Sequence, residues 1–120
     1  MKVAFPVGKE TGTEQPVAEH FGTSPNFLVL WMGGKAKASI KNTSTHFGGS
    51  KMPVELLAEK GVGTIVCRSI GQNAVRMCKM HSIDVYFAPE GASVEEAFRL
   101  LLEGKLRKAV EGDGCKEHLH

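Results

Sequence analysis

The chain has 120 residues, of which 42% are hydrophobic and 23% are charged, and its formal net charge is +2. This length and composition predict a single globular domain with one substantial core. The small net charge, with no dense stripe of lysine and arginine, argues against a protein that binds nucleic acid. No run approaches the ~20 apolar residues of a membrane span.

The number of cysteines and the N-terminal residues indicate the cellular compartment. The opening apolar run is too short for a signal peptide. An odd number of cysteines without an export signal predicts reduced thiols rather than a disulfide framework. We therefore expect a cytoplasmic protein that does not associate with membranes.

The first part of the chain predicts three strands. Residues 2–7 place valine and phenylalanine on one face, as a strand does. After a long glycine-containing loop, residues 8–24, comes the apolar run 27–32. It ends at two glycines, 33–34, which favour a tight hairpin turn. Residues 35–41 then alternate polar and apolar side chains, which is typical of a half-exposed edge strand.

From Pro53 the apolar period becomes helical, and Gly61 marks the end of this first helix. Residues 64–67 predict a short buried strand. A second helix is expected over residues 73–81, with its apolar side chains on one stripe.

The last predicted strand covers residues 83–87. Ser93 and Glu96 have the spacing of a capping box and open a third helix. Gly104 is a plausible end for that helix, although residues 105–110 are an alternative extension of it. The domain is therefore assigned to residues 1–110, followed by a flexible polar tail, residues 111–120.

The element order β-β-β-α-β-α-β-α predicts an α/β domain with a five-stranded mixed sheet. Right-handed crossovers make strands one, four and five parallel, and the hairpin places strands two and three on the other side. The expected strand order is about 3-2-1-4-5. The loops after strands one, three, four and five then emerge at one edge, and the order reverses between strands one and four. Ligands favour such a crevice.

The tripeptide His-Phe-Gly occurs twice, beginning at His20 and at His46, and both copies lie in predicted loops. Imidazole is a common metal ligand. His20 follows strand one, so we expect it at the crevice, in a loop longer than a compact domain usually keeps without use. His46 follows the edge strand, further from the reversal. The alternative for each is a solvated histidine.

The neighbours of His20 have two interpretations each. The Glu19 carboxylate either orients the imidazole by accepting a hydrogen bond from the ring nitrogen that does not bind the metal, or forms a surface salt bridge. Phe21 either anchors the loop in the core or stacks on a ligand. Gly22 would allow a bulky ligand to approach the backbone.

A second candidate segment follows strand four and precedes the second helix. Arg68, Ser69, Ile70 and Gly71 combine a guanidinium, a hydroxyl and free N–H groups, the components of an anion site. The glycine spacing of a nucleotide-binding loop is missing. Cys67 is either a thiolate ligand or an inert thiol at the end of the strand.

The tail carries a third candidate, because Cys115, His118 and His120 are three metal-competent side chains within six residues. This spacing is compatible with zinc or iron. A disordered chain end is the alternative.

Four segments resemble one known family: the first strand with its Pro-Val pair at 6–7, the Val-Ala-Glu-His-Phe-Gly loop at 17–22, the helix end Leu-Leu-Ala-Glu-Lys-Gly-Val at 56–62, and the Ile-Gly turn at 70–71. They are similar to the dinitrogenase iron–molybdenum cofactor binding family, over roughly residues 2–104. That family has a ribonuclease H-like fold. It includes carriers of cofactor precursors, a domain of a cofactor-assembly enzyme, and small stand-alone proteins, which this chain resembles most.

The resemblance implies non-catalytic binding of an iron–molybdenum or iron–sulfur cluster, with His20 as the leading ligand. Cluster-donor or cluster-acceptor proteins would be the partners. Arg68 and Ser69 stand where family members commonly have two glycines, which narrows the space for a cluster but adds a cation. Two alternatives stay open: an enzyme or binding module for a small phosphorylated or anionic ligand at the same crevice, and simple zinc or iron binding by the tail.

Overall fold

The computed structural model describes residues 1–9, 12–33, 36–43 and 52–110. The described chain contains six strands and three helices, in the order β1 (Lys2–Val7), β2 (Asn26–Trp31), β3 (Lys37–Lys41), α1 (Pro53–Glu59), β4 (Val62–Cys67), α2 (Gln72–Met80), β5 (Asp84–Phe87), α3 (Val94–Leu102) and β6 (Arg107–Lys108). No helix in these ranges is long and apolar enough to cross a membrane.

The strands form one mixed sheet in the order β3-β2-β1-β4-β5-β6, which confirms the predicted arrangement of the first five. β1 pairs in parallel with β4, and β4 with β5, whereas β2 pairs antiparallel with both β1 and β3. β1, β3, β4 and β5 therefore run in the same direction. We call the edge at which these four strands end the carboxyl edge.

The sixth strand differs from the prediction, which had five strands and considered a longer third helix. α3 ends at Leu102, and Gly104 adopts a φ of +72°, a conformation that glycine reaches without steric cost. The chain reverses there, and β6 pairs antiparallel with β5. The Ala109 N–H then donates to the Val85 carbonyl at 2.7 Å. A helical extension is excluded because the glycine turns the backbone away from the helix axis.

The helices cover both faces of the sheet. Alternation along β1 sends Val3, Phe5 and Val7 into the core with α3, and Ala4 into the core with α1 and α2. The Ser93 hydroxyl accepts the Glu96 N–H at 3.0 Å, so the predicted N-cap of α3 is formed. Because both faces are covered, the carboxyl edge is the place where loops, rather than packed helices, meet the sheet.

Candidate functional site

The loop after β1 crosses the carboxyl edge and is pinned at several points. We call its described residues 12–24 the His20 loop, and residues 67–71 the Ser69 turn. The Val17 N–H donates to the Ala92 carbonyl at 3.0 Å, and the Ala18 N–H donates to the Pro6 carbonyl at 2.7 Å. Further along, the Phe21 N–H donates to the Ser69 carbonyl at 3.3 Å. The His20 loop therefore lies against the Ser69 turn, where the strand order reverses between β1 and β4.

His20 projects from this junction with 61% of its side chain exposed. Its Nδ1 atom lies 3.4 Å from the Ser69 hydroxyl oxygen. Its Nε2 atom lies 4.0 Å from a carboxylate oxygen of Glu19. An accessible imidazole with its backbone held in place is suited to binding a metal or a cluster from solvent.

Glu19 and Ser69 lie beside opposite nitrogens of the imidazole. The Glu19 carboxylate, which is largely exposed, is nearer to Nε2, whereas the Ser69 hydroxyl is beside Nδ1. The same hydroxyl donates to the Glu19 main-chain carbonyl at 2.7 Å. The contact available to orient the imidazole through Nδ1 therefore comes from Ser69, and Glu19 takes part in it through its backbone.

Phe21 and Ile70 have their side chains in the core. Phe21 is 2% exposed, and its ring centroid lies 5.3 Å from that of Phe27. Ile70 is buried in the same cluster. Of the two interpretations of Phe21, the structure corresponds to the anchor rather than to a stacking platform, because the ring has no face open to a ligand. Both residues fix the His20 loop and the Ser69 turn to the core.

Cys67 is fully buried at the end of β4. Burial raises the pKa of its thiol far above the ordinary range, and the neighbouring Cys78 adds to this rise. Burial likewise raises the pKa of Cys78 to about 12. Since the thiolate is the form that binds metal, the buried and protonated Cys67 corresponds to the inert alternative rather than to a ready ligand.

This burial predicts the reactivity of both core thiols. In a Cys115→Ser background, native protein at about pH 8 should react very slowly with Ellman's reagent, because Cys67 and Cys78 are buried and protonated. In denaturant both should react within the dead time of mixing. Rapid modification of either thiol in the native protein would contradict this placement.

Arg68 provides the positive charge of the Ser69 turn. Its side chain is 23% exposed, and its Nη2 lies 3.2 Å from Oε1 of Glu90, which is almost fully exposed. An ion pair with so exposed a partner contributes only about 0–1 kcal/mol. The ion pair with Glu90 therefore only weakly opposes a contact of the guanidinium with an anionic ligand.

The N-terminus of α2 follows directly. Its N-cap residue, Gly71, makes no side-chain capping hydrogen bond, and the first turn contains no acidic residue. By contrast, α3 is capped by the Ser93 hydroxyl and has two glutamates in its first turn. A Cβ atom added to Gly71 would meet nothing within 4 Å, so the surface there is open. The uncapped N–H groups favour negative charge beside this turn.

Asn42 and Ser24 are supporting residues that the sequence analysis did not single out. The Asn42 amide donates to the Gly22 carbonyl at 3.1 Å and to the Ser24 carbonyl at 2.8 Å. The Ser24 hydroxyl donates to the Phe21 carbonyl at 3.0 Å. Gly22 thus contributes a carbonyl to this network. An asparagine after an edge strand is a weak signal, because many such residues are solvated.

The remaining candidate ligands, His46, Cys115, His118 and His120, lie outside the described residues. Within residues 1–9, 12–33, 36–43 and 52–110, no three histidine, cysteine, aspartate or glutamate side chains converge as a metal-binding group.

Comparison with known proteins agrees with this architecture. An uncharacterised protein of Methanocaldococcus jannaschii is 33% identical over 113 residues, which cover 90% of this chain and 91% of that protein. The apo form of the orange protein from Desulfovibrio gigas has the same fold, with a TM-score of 0.81 at 22% identity, covering 92% of this chain and 93% of that one. The NMR structure of a NifB-like Thermotoga protein of the DUF35 family gives a TM-score of 0.74 at 27% identity, covering 92% of this chain and 98% of that one.

A family model gives the assignment. The model described as dinitrogenase iron-molybdenum cofactor matches residues 1–104, nearly the whole described domain. The matched region includes the His20 loop, the Ser69 turn and all three helices. The chain belongs to the dinitrogenase iron-molybdenum cofactor family.

Proposed function

We propose that this protein binds and carries an iron–molybdenum or iron–sulfur cluster at the carboxyl edge, without catalysing a reaction. The observation that carries the proposal is the exposed His20 imidazole, held against Ser69 where the strand order reverses. The family is described by the iron-molybdenum cofactor of dinitrogenase, and this description supports a metal cluster as the cargo.

The charges around His20 support an anionic cargo. Clusters of this kind are anionic and sulfur-rich. Arg68 supplies a guanidinium whose present partner is exposed, and the N-terminus of α2 supplies uncapped N–H groups. Each group recognises negative charge without a covalent bond to the metal.

A carrier must also release its cargo. With His20 as the ligand, Cys67 buried and Arg68 binding through charge alone, the cluster would be held by few metal–protein bonds. Such a cluster could pass by ligand exchange from a donor protein and on to an acceptor protein. These proteins, rather than nucleic acid or a membrane, are the proposed partners.

Anaerobic titration of the metal-free protein tests this proposal. Iron–molybdenum cofactor, or a synthetic cubane iron–sulfur cluster with exchangeable thiolate ligands, is added and followed by absorbance. His20→Ala should weaken binding at least about tenfold, because it removes the metal–nitrogen bond.

His81→Ala is the matched control. His81 is also exposed, but it follows the C-terminus of α2, which lies at the opposite edge of the sheet. This variant should bind like the wild type. Equal affinities of wild type and His20→Ala would refute the proposed site.

A small phosphorylated or anionic ligand is the second candidate, favoured by Arg68 and by the uncapped N-terminus of α2. Saturable binding of inorganic phosphate that Arg68→Ala abolishes, with no cluster uptake, would select it. Deletion of residues 114–120 separates both crevice functions from zinc or iron binding by the tail, since crevice binding should survive the deletion.

A further inference from the structure

We propose that Ser69 is a positioning residue that fixes the tautomer of His20, so that Nε2 is the nitrogen offered to the cluster. The inference deepens the proposed function and rests on it for its consequence. Its spectroscopic test, in contrast, needs no cluster.

The direction of one hydrogen bond carries the argument. The Ser69 hydroxyl lies 2.7 Å from the main-chain carbonyl oxygen of Glu19. A carbonyl only accepts, so the single hydroxyl proton of Ser69 is committed to this bond. Toward any other neighbour, the hydroxyl oxygen can only accept.

That neighbour is Nδ1 of His20, at 3.4 Å. An accepting hydroxyl requires a proton on Nδ1, and a neutral imidazole carries only one ring proton. Nε2 then keeps its lone pair. The opposite tautomer would place two lone pairs face to face, or would turn the hydroxyl away from the shorter bond to Glu19. The difference between 2.7 Å and 3.4 Å favours keeping the bond to the carbonyl.

The backbone contacts make this arrangement specific to His20. The Ser69 hydroxyl donates to the main-chain carbonyl of Glu19, which precedes His20. The main-chain carbonyl of Ser69 accepts the N–H of Phe21, which follows His20, at 3.3 Å. Both peptide groups that flank His20 are therefore bonded to Ser69. With Phe21 anchored in the core, the imidazole is held at the Ser69 hydroxyl while most of its surface stays exposed.

Glu19 favours the opposite tautomer. Its carboxylate lies 4.0 Å from Nε2 and would attract a proton there. Without the Ser69 hydroxyl, the ring would still have this carboxylate beside it. The proton should then shift toward Nε2 and block the lone pair that a metal needs. Ser69 therefore decides which nitrogen is available.

Long-range ¹H–¹⁵N NMR of the metal-free protein at about pH 8, where imidazoles are mostly neutral, tests the inference. His20→Ala identifies the His20 signals by their loss. In the wild type, Nδ1 should show the shift of a protonated ring nitrogen and Nε2 that of an unprotonated one. Ser69→Ala should move the population toward Nε2–H, and Ser69→Thr, which keeps the hydroxyl, should restore the wild-type pattern. Ser39→Ala, on the exposed face of β3, is the control that should change nothing.

Cluster titration adds the functional consequence. Ser69→Ala should weaken cluster binding about tenfold, as loss of a partner behind a metal ligand does, and Ser69→Thr should not. A wild-type protein with its proton on Nε2, or a tautomer that Ser69→Ala leaves unchanged, would overturn the inference whatever the cluster data show. If the tautomer responds as expected while His20→Ala binds cluster normally, the proposed function fails and the tautomer assignment stands.

Discussion

Replacement of Phe21 by alanine is expected to lower the free energy of unfolding by about 3–5 kcal/mol. The ring is 2% exposed and packs against Phe27 in the core beneath the His20 loop. Removing the ring leaves a cavity beneath the His20 loop, next to His20 and Gly22. Denaturant unfolding, followed by far-UV circular dichroism, measures the loss.

A second variant separates anchoring from ligand stacking. Phe21→Leu keeps most of the buried apolar volume, so it should lose less stability than Phe21→Ala and keep cluster affinity near the wild-type value. If Phe21 instead stacked on the ligand, Phe21→Leu would weaken cluster binding while leaving the free energy of unfolding almost unchanged. That result would contradict the core placement.

Asn42→Ala is expected to cost about 2–3 kcal/mol of folding free energy. Asn42 is 2% exposed, and its amide donates to the carbonyls of Gly22 and Ser24. Its own N–H donates to the Pro25 carbonyl at 2.9 Å. The alanine variant leaves buried acceptors without a donor, and these acceptors belong to the turn that follows His20. Thermal or denaturant unfolding measures the effect.

Asn42→Asp adds a dependence on pH with a defined sign. A buried carboxylate facing two carbonyl oxygens is disfavoured, so its pKa should rise in the folded protein. The folded state then binds the proton more tightly than the unfolded state, and stability falls as pH rises through the folded pKa. Relative to Asn42→Ala, the aspartate variant should be less stable at about pH 8 than at about pH 5. If the two variants differed in stability by the same amount at both pH values, the aspartate side chain would be in contact with solvent.

The topology of the first five strands could be predicted because each of them carries a local signal. Glycines and the period of the apolar residues located these strands, and right-handed crossovers together with the hairpin then predicted the order that the structure confirms. β6 has only two residues, both exposed, and therefore lacks any apolar alternation. Its formation depends on pairing with β5 after the turn at Gly104, which is a tertiary effect.

The place where the His20 loop meets the Ser69 turn could be predicted from the sequence, but the side-chain contacts there could not. That the His20 loop and the Ser69 turn meet follows from parallel β1 and β4, which the sequence indicated. Which neighbour contacts which imidazole nitrogen depends on side-chain directions, and spacing along the chain does not encode them. Glu19 is adjacent in sequence and was the natural candidate to orient the ring, yet Ser69, fifty residues away from Glu19, makes the contact at Nδ1.

Burial explains the other differences from the sequence-based interpretation. Cys67 follows a buried strand, and a sequence alone does not reveal whether its thiol faces the crevice or the core. In the structure it faces the core, where desolvation keeps it protonated. Asn42 follows an exposed edge strand, and its burial comes from contacts with the turn after His20 that the sequence does not reveal.

Pulsed EPR of histidine-¹⁵N-labelled protein, loaded with a paramagnetic iron–sulfur cluster, tests the central claim most directly. The proposal predicts a ¹⁵N hyperfine coupling from a directly bonded imidazole, present in the wild type and in His81→Ala and absent in His20→Ala. A coupling that persists in His20→Ala, or a loaded wild-type protein without any imidazole coupling, would contradict the assignment of His20 as the cluster ligand.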